Sequence, residues 1–299
     1  MRAWSSARFT IALPDGHRFP LTKYARLRDE VVARRLLTAG GVEEPDRVER
    51  WALELVHLPA YVEAVLDGTL TPFELRRLGL PWSPGLPERS LRTVQGTIEA
   101  ARDALTHGLG ITLAGGTHHA FAGHGEGFCV FNDVAIAIRV LQREGRITRA
   151  AVVDLDVHQG NGTARLFAGD PDVHTFSMHG ARNFPFRKER STLDVELPDG
   201  CGDVEYLAAL DRHLGMVLDE ARPDLVFYLG GADPYHDDRY GRLGLSMAGL
   251  EARDERVFDA VRQRGLPLVL TMAGGYARRI EDVVTIQATM VGAALAAYA

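Results

Sequence analysis

Lysine is almost absent from this chain: Lys23 and Lys188 are its only lysines, and the rest of its 34 basic residues are arginine. That bias reflects codon usage or selection for stability and says nothing about activity. Cysteine is as scarce. Cys129 and Cys201 are too few for a disulfide framework, so a reduced, cytoplasmic setting is expected. An excess of positive charge is lacking too. The net charge is −6 and the pI about 6.0, which argues against an extended nucleic-acid footprint and leaves room for a local basic patch. The opening "MRAWSSARFTIALPDGHRF" lacks the apolar core of a signal peptide. The C-terminal "VVTIQATMVGAALAAYA" is uncharged over 17 residues with Thr and Gln inside. It falls short of the ~20 predominantly apolar residues that cross a bilayer, so a buried final helix is expected and no membrane span.

What the chain does have is enough apolar sequence for a sizeable core. It is 46% hydrophobic and 25% charged over 299 residues. Length alone fits one large α/β domain or two small ones. No repeat or low-complexity linker divides it. Residues 25–65 read as helices, with apolar residues at 3–4 spacing in "YARLRDEVVARRLL" and "PDRVERWALELV". The proline-rich "TPFELRRLGLPWSPGLPERS" reads as an exposed loop. Then short apolar runs at 110–115, 150–156, 173–179, 224–231 and 267–275 look like strands, with helical patterns such as "FNDVAIAIRVLQREG" between several of them. That alternation predicts βαβ units, a mostly parallel sheet covered by helices on both faces, and one domain over residues 1–299.

Ligands of open parallel sheets sit beyond the carboxyl ends of the strands. Here those ends carry "GGTHHA", "DLDVHQGNG", "SMH", "GGADP" and "AGGY". Asp156 and His158 are two apart, so in an extended segment they point the same way and can reach one ion. Asp233, beyond another strand, completes a three-ligand set with a position left open for water or substrate. Carboxylate and imidazole donors without thiolate suit zinc, iron or cobalt and keep manganese open. His118 and His119 suit a pair handling the protons of a metal-bound water, with Asp154 left over as partner for one of them. Tyr276, after two glycines, is placed to donate to a developing oxyanion.

In order and spacing, "GGTHHAFAGHGEGFCVFND", "VVDLDVHQGNGT", "TFSMH", "GGADP" and "AGGY" resemble the zinc-dependent histone deacetylase superfamily. The wording of "DVHQGNG" and "GADPYHDDRYGRLGLS" looks most like its class IV branch, which includes many bacterial members. The resemblance is close over 110–280 and loose elsewhere. It implies the arginase–deacetylase fold, a three-layer α/β/α sandwich, and hydrolysis of an acyl-amide on a lysine-like side chain. It implies zinc on Asp156, His158 and Asp233, with His119 in preference to His118 as general base and acid, and Tyr276 as the transition-state tyrosine. Phe128 and Phe184 match the walls of an acyl-lysine tunnel, with Gly127 beside the first. A structural potassium is implied near Asp154, Asp156, His158, Ser177 and Met178, partly through backbone oxygens.

Two positions depart from the family's usual pattern. Asn161 stands where many relatives back the second histidine with aspartate, and Tyr240 stands near the mouth where a smaller aliphatic residue is common. Cys129 reads as a small buried filler. The basic run in "RNFPFRKERSTLD" reads as a solvated loop, with attraction of an acidic substrate as the other reading. Arginase relatives hold two manganese ions through further aspartates, which this set lacks. The expected substrate is an acylated lysine of a peptide or protein; the alternatives are acetylpolyamine or another small amide, and a catalytically silent binder of acylated ligands. Oligomeric state is not legible in the sequence.

Overall fold

The five apolar runs read as strands all form them, and three more strands join in the computed structural model, which describes residues 1–299. The strands are β1 (Ala3–Trp4), β2 (Val42–Glu43), β3 (Leu109–Thr112), β4 (Ala150–Asp154), β5 (Val173–Gly180), β6 (Leu193–Leu197), β7 (Leu225–Leu229) and β8 (Leu268–Thr271). They make one sheet in the order β2-β1-β3-β8-β7-β4-β5-β6, with every neighbouring pair parallel.

Ten helices flank it: α1 (Lys23–Ala33), α2 (Arg50–Leu53), α3 (Pro59–Asp67), α4 (Pro72–Leu78), α5 (Gly85–His107), α6 (Asp133–Arg143), α7 (Asn161–Leu166), α8 (Asp203–Ala221), α9 (Met247–Gln263) and α10 (Ile280–Ala297). Strand residues alternate between two cores, as the two-residue repeat of a strand requires. Ala151, Val153, Val226 and Tyr228 pack with α1, α8, α9 and α10. Ala150, Val152, Leu225 and Phe227 pack with α3, α5 and α6 on the other face. Both faces being covered, the central strands are apolar throughout, and each fully buried Val or Phe contributes about 1.5–3 kcal/mol. This is the α/β/α sandwich that the alternation predicted.

Two local expectations are corrected. The segment 71–90 is no exposed loop: its prolines start helices instead of preventing them. Pro72 opens α4 behind a capping box, in which Thr71 and Glu74 satisfy each other's backbone N–H groups, and Leu78, Leu80 and Leu86 are buried. Residues 45–56 yield only the single turn of α2. The basic run is the loop expected, with Arg182, Arg187 and Arg190 exposed, and only its end at Leu193 enters an edge strand, β6, which pairs with β5 from Phe176↔Leu193 onward. The final helix, α10, is apolar enough to cross a membrane by length and composition alone. Its Val283, Ile286, Met290, Val291 and Ala294 instead belong to the core, as expected of a buried helix.

Candidate active site

The middle of the sheet contains a reversal of direction. After β4 the chain moves outward to β5, whereas after the adjacent β7 it moves the other way, to β8. Diverging connections leave a crevice beyond the carboxyl ends of these two strands, the place where open α/β sheets bind ligands. Asp156 and His158 come after β4, and Asp233 comes after β7. The donor atoms of all three lie within 4.8 Å of one another, and all three residues are buried.

The convergence of Asp156 and His158 does not come from strand alternation, because β4 ends at Asp154. Two successive side-chain turns replace it: Asp154 Oδ1 accepts from Asp156 N at 3.2 Å, and Asp156 Oδ1 accepts from His158 N at 2.9 Å. Across the crevice, Val157 N donates to Asp233 Oδ1 at 2.9 Å. Asp233 Oδ2 is buried with no hydrogen-bond partner. His158 Nδ1 faces it at 3.3 Å and faces Asp156 Oδ1 at 2.9 Å. Gly274 closes the pit from β8, where a Cβ would collide with the carboxylates of Asp233 and Asp156. An orphaned carboxylate oxygen beside an imidazole nitrogen and a second carboxylate is a donor set that fits a divalent metal.

The tandem histidines line the same pit with different supports. His118 Nδ1 lies 2.7 Å from Asp154 Oδ2, while His119 Nδ1 lies 2.7 Å from Asn161 Oδ1, at the start of α7. Their Nε2 atoms are 3.2 Å apart. Burial works against charge on His118, but the Asp154 carboxylate, helped by Asp156, lifts it to about 9. Burial, with the neighbouring His118 and His158, holds His119 well below the ordinary histidine value. The positive charge of the pair therefore rests on His118, and His119 is left neutral with an unprotonated ring nitrogen.

Tyr276 comes after Ala273 at φ 47° and Gly275 at φ 146°, a left-handed stretch that turns the chain back toward the pit. Burial, then Tyr24 and Asp233, pushes its phenol well above the ordinary value, so it stays protonated and able to donate. Phe184 stands edge-on to His119 at 5.0 Å between centroids, and Phe128 lies 6.1 Å from Tyr276. Both line a cleft of about 650 Å³ that leads to His119, His158 and Tyr276. Gly127, at φ 56°, lets the backbone pass beside His119, where a Cβ would come within 2.6 Å of the ring. Tyr240 is in the same cleft wall, 5.2 Å from the Tyr276 ring. Ser177 pairs with Asp154 across β4 and β5, and its hydroxyl bonds His179; the Met178 side chain is in the core, which leaves only its backbone for a polar partner. Burial pushes the Cys129 thiol up, which keeps it protonated and inert.

Three residues that hold this site leave little or no mark in the sequence. Asp238 accepts Tyr276 N at 2.6 Å with one oxygen, and Tyr240 N and Gly241 N with the other, so it fixes the tyrosine loop. Arg253, buried in α9 and paired with Asp254, donates to Gly231 O at 2.7 Å and Leu155 O at 3.3 Å, bracing the loops that carry Asp156 and Asp233. Lys23, also buried, donates to Ala273 O and Gly275 O at 3.3 and 3.4 Å. Asp238 has a signal in the acidic "ADPYHDD"; Arg253 and Lys23 have none, because their partners are carbonyls far away in sequence.

Comparison with known proteins bears on the family and the fold. The family model described as "Histone deacetylase domain" matches residues 17–291. The chain is 47% identical over 276 residues to an uncharacterized protein of Picosynechococcus sp., covering 92% of each. It is 31% identical to "Histone deacetylase 2" of Arabidopsis thaliana, covering 90% of this chain and 72% of that one. The fold is similar to that of an HDAC homolog from Aquifex aeolicus, with a TM-score of 0.83 at 22% identity over 98% of this chain and 83% of that one. It is similar also to the HDA15 HD domain, with a TM-score of 0.80 at 20% identity over 99% and 88%.

Proposed function

The chain belongs to the histone deacetylase family, a family of deacylating hydrolases, and on that premise we propose that it is a zinc-dependent deacylase of N-acyl-lysine. The observation that carries this reading is the unequal histidine pair beside a three-ligand pit: His118 is backed by a carboxylate and His119 by an amide. Asp156, His158 and Asp233 would hold a zinc ion, whose contribution there would be Lewis-acid polarisation of the acyl carbonyl and a lowered pKa for the attacking water.

The chain's own residues do the rest. His119, held neutral, accepts the water's proton at Nε2. The His118–Asp154 pair keeps a positive charge next to the oxyanion as it develops. Tyr276, anchored through its backbone by Asp238, donates its hydroxyl proton to that oxyanion in a hydrogen bond. The proton on His119 then passes to the leaving amine. Phe128 and Phe184 flank the tether of the acylated side chain.

An inner cavity of about 80 Å³ adjoins the histidines, lined half by apolar residues such as Ile11, Leu80, Val94 and Val130 and half by polar ones such as Arg89, Ser90 and Thr93. Its apolar part supports acetyl and longer acyl groups as substrates. A potassium ion near Asp154, Asp156, His158, Ser177 and Met178, the class IV branch, a cytoplasmic location and a peptide or protein substrate belong to the same proposal. The complete set of ligands, histidines and tyrosine supports an enzyme over a silent binder. Hydrolysis of lysine peptides carrying acetyl through myristoyl groups by the zinc-loaded protein is the test. Absence of turnover at every chain length, with zinc bound, would overturn the reading.

A further inference from the structure

The mouth of the cleft is ringed with arginine. Arg18, Arg76, Arg77, Arg182, Arg239 and Arg242 line it, all six are exposed or half-buried, and no Asp or Glu is among the lining residues. They come from four separate places: ahead of α1, on α4, after β5 and after β7. A solvated basic run would come from one stretch of sequence, whereas these converge on a single opening. Arg18, Arg76, Arg77 and Arg239 have no carboxylate within 4.0 Å, while Arg182 and Arg242 share Asp199 at 3.8 and 3.1 Å. Elsewhere arginine is freely paired, as in Arg34–Glu30, Arg50–Glu54 and Arg264–Asp219. The chain as a whole carries a net charge of −6, so the positive mouth is a local feature set against the overall charge. Like charges left without counterions around a concave opening focus the field there and draw in anions.

Resting on the deacylase reading above, we propose that this mouth selects acyl-lysine lying in an acidic peptide segment. The guanidinium groups bind flanking Asp and Glu carboxylates, which their forked donors match. The acylated side chain meanwhile passes between Phe128 and Phe184 toward His119. A peptide presents both parts at once, negative side chains and a tethered amide long enough to reach the bottom of the cleft. A nucleic-acid strand offers the charge without the tethered amide.

The test uses three acyl-lysine peptides of equal length, flanked on both sides by Glu, Gln or Arg, with the zinc-loaded full chain. The Glu peptide is expected to exceed the Gln peptide in kcat/KM by about 10-fold at low salt, mainly through KM. The Arg peptide is expected to be the poorest. The gap should shrink at high salt, since the screening length falls from about 10 Å at 0.1 M to about 3 Å at 1 M. In the triple variant R76Q/R77Q/R239Q the Glu-to-Gln ratio should approach unity. If that variant melts early, the single variant R18Q should still lower the ratio.

Equal kcat/KM for Glu and Gln flanks, or a preference for Arg flanks, would overturn the proposal. So would a short single-stranded DNA that competes better than the Glu peptide, which would reassign the mouth to nucleic acid. If no peptide is hydrolysed although zinc is bound, the deacylase reading fails. Anisotropy of fluorescent Glu and Gln peptides then decides the mouth separately: tighter binding of Glu upholds the charge selection, and equal binding overturns it.

Discussion

Asn161 Oδ1 lies 2.7 Å from His119 Nδ1, the same distance that separates Asp154 Oδ2 from His118 Nδ1, so two neighbouring imidazoles differ in the charge behind them and not in its reach. A carboxylate stabilises imidazolium and an amide only orients the ring. This difference gives the pair separate tasks.

Replacing the amide tests that division. Asn161→Asp should raise the pKa of His119, because the new anion favours its charged form. A base must lose its proton to work, so the acid limb of kcat/KM should move to higher pH by about one unit. Asp154→Asn should act on His118 and leave less positive charge in the pit, lowering kcat. Superimposable pH profiles for Asn161→Asp and the parent would show that His119 is not the base.

Tyr276→Phe should lower kcat by about 10²–10³ with little change in KM, since it removes an oxyanion donor and keeps the ring. Asp238→Asn keeps the shape and weakens the bonds to the backbone of Tyr276, Tyr240 and Gly241. A smaller fall in kcat is expected there. Steady-state kinetics with unchanged thermal melting separates both effects from unfolding.

Metal ligands bind in deprotonated form, so affinity should rise with pH. In the metal-free pit, burial disfavours charge on His158, but Asp156 and Asp233 outweigh it and raise the imidazole to about 10. Zinc titrated in at pH 7 should therefore displace the proton of His158 and part of one from Asp233, whose carboxyl is raised to about 7 by burial and by Asp156, read by calorimetry in two buffers of different ionisation heat. Zinc at about 100 times its Kd should also stabilise the fold by about 2.7 kcal/mol. Asp233→Asn should lose most of this gain. An unchanged Tm on adding zinc to the parent chain would count against the ligand set.

Away from the site, His57 makes a stability prediction. Its Nδ1 donates to Phe121 O at 2.9 Å and its Nε2 accepts from Asn132 N at 3.0 Å, so a second proton would face a donor. Burial pushes its pKa down to about 4, from 6.5 in the unfolded chain. The unfolded state takes up the proton first as pH falls. Stability is then complete above pH 6.5 and is lost between 6.5 and about 4, by about 3 kcal/mol in all. Urea midpoints across that range should fall for the parent chain, with a flatter slope in His57→Gln.

The central strands and their ligand-bearing ends are legible in the sequence because they are local. An apolar run that leads into Asp and His, or into Gly-Gly-Ala-Asp, states both a strand and the polar loop at its end. The turns at Asp154 and Asp156 that swing His158 into place read instead as an extended segment, since the two spacings look alike in sequence. Strands β1 and β2 have two residues each and leave no periodic trace. Helix α5, at 23 residues, is masked by the prolines that start it. The arginine mouth and the Arg253 brace exist only through long-range convergence, which no window of sequence contains.

The rarity of lysine has a consequence under the proposed acyl-lysine substrate. Lys23 is sealed inside, and Lys188 is half-buried with its amine donating to Asn183 O and Pro185 O at 2.7 and 2.6 Å. Burial lowers the pKa of Lys188 as well. With arginine in every other basic position, the surface has no freely exposed lysine for a reactive acyl donor to modify, and so almost no acylated side chain of its own to compete for the cleft. A neighbouring copy would present arginines to that opening, and these carry the same charge as its rim.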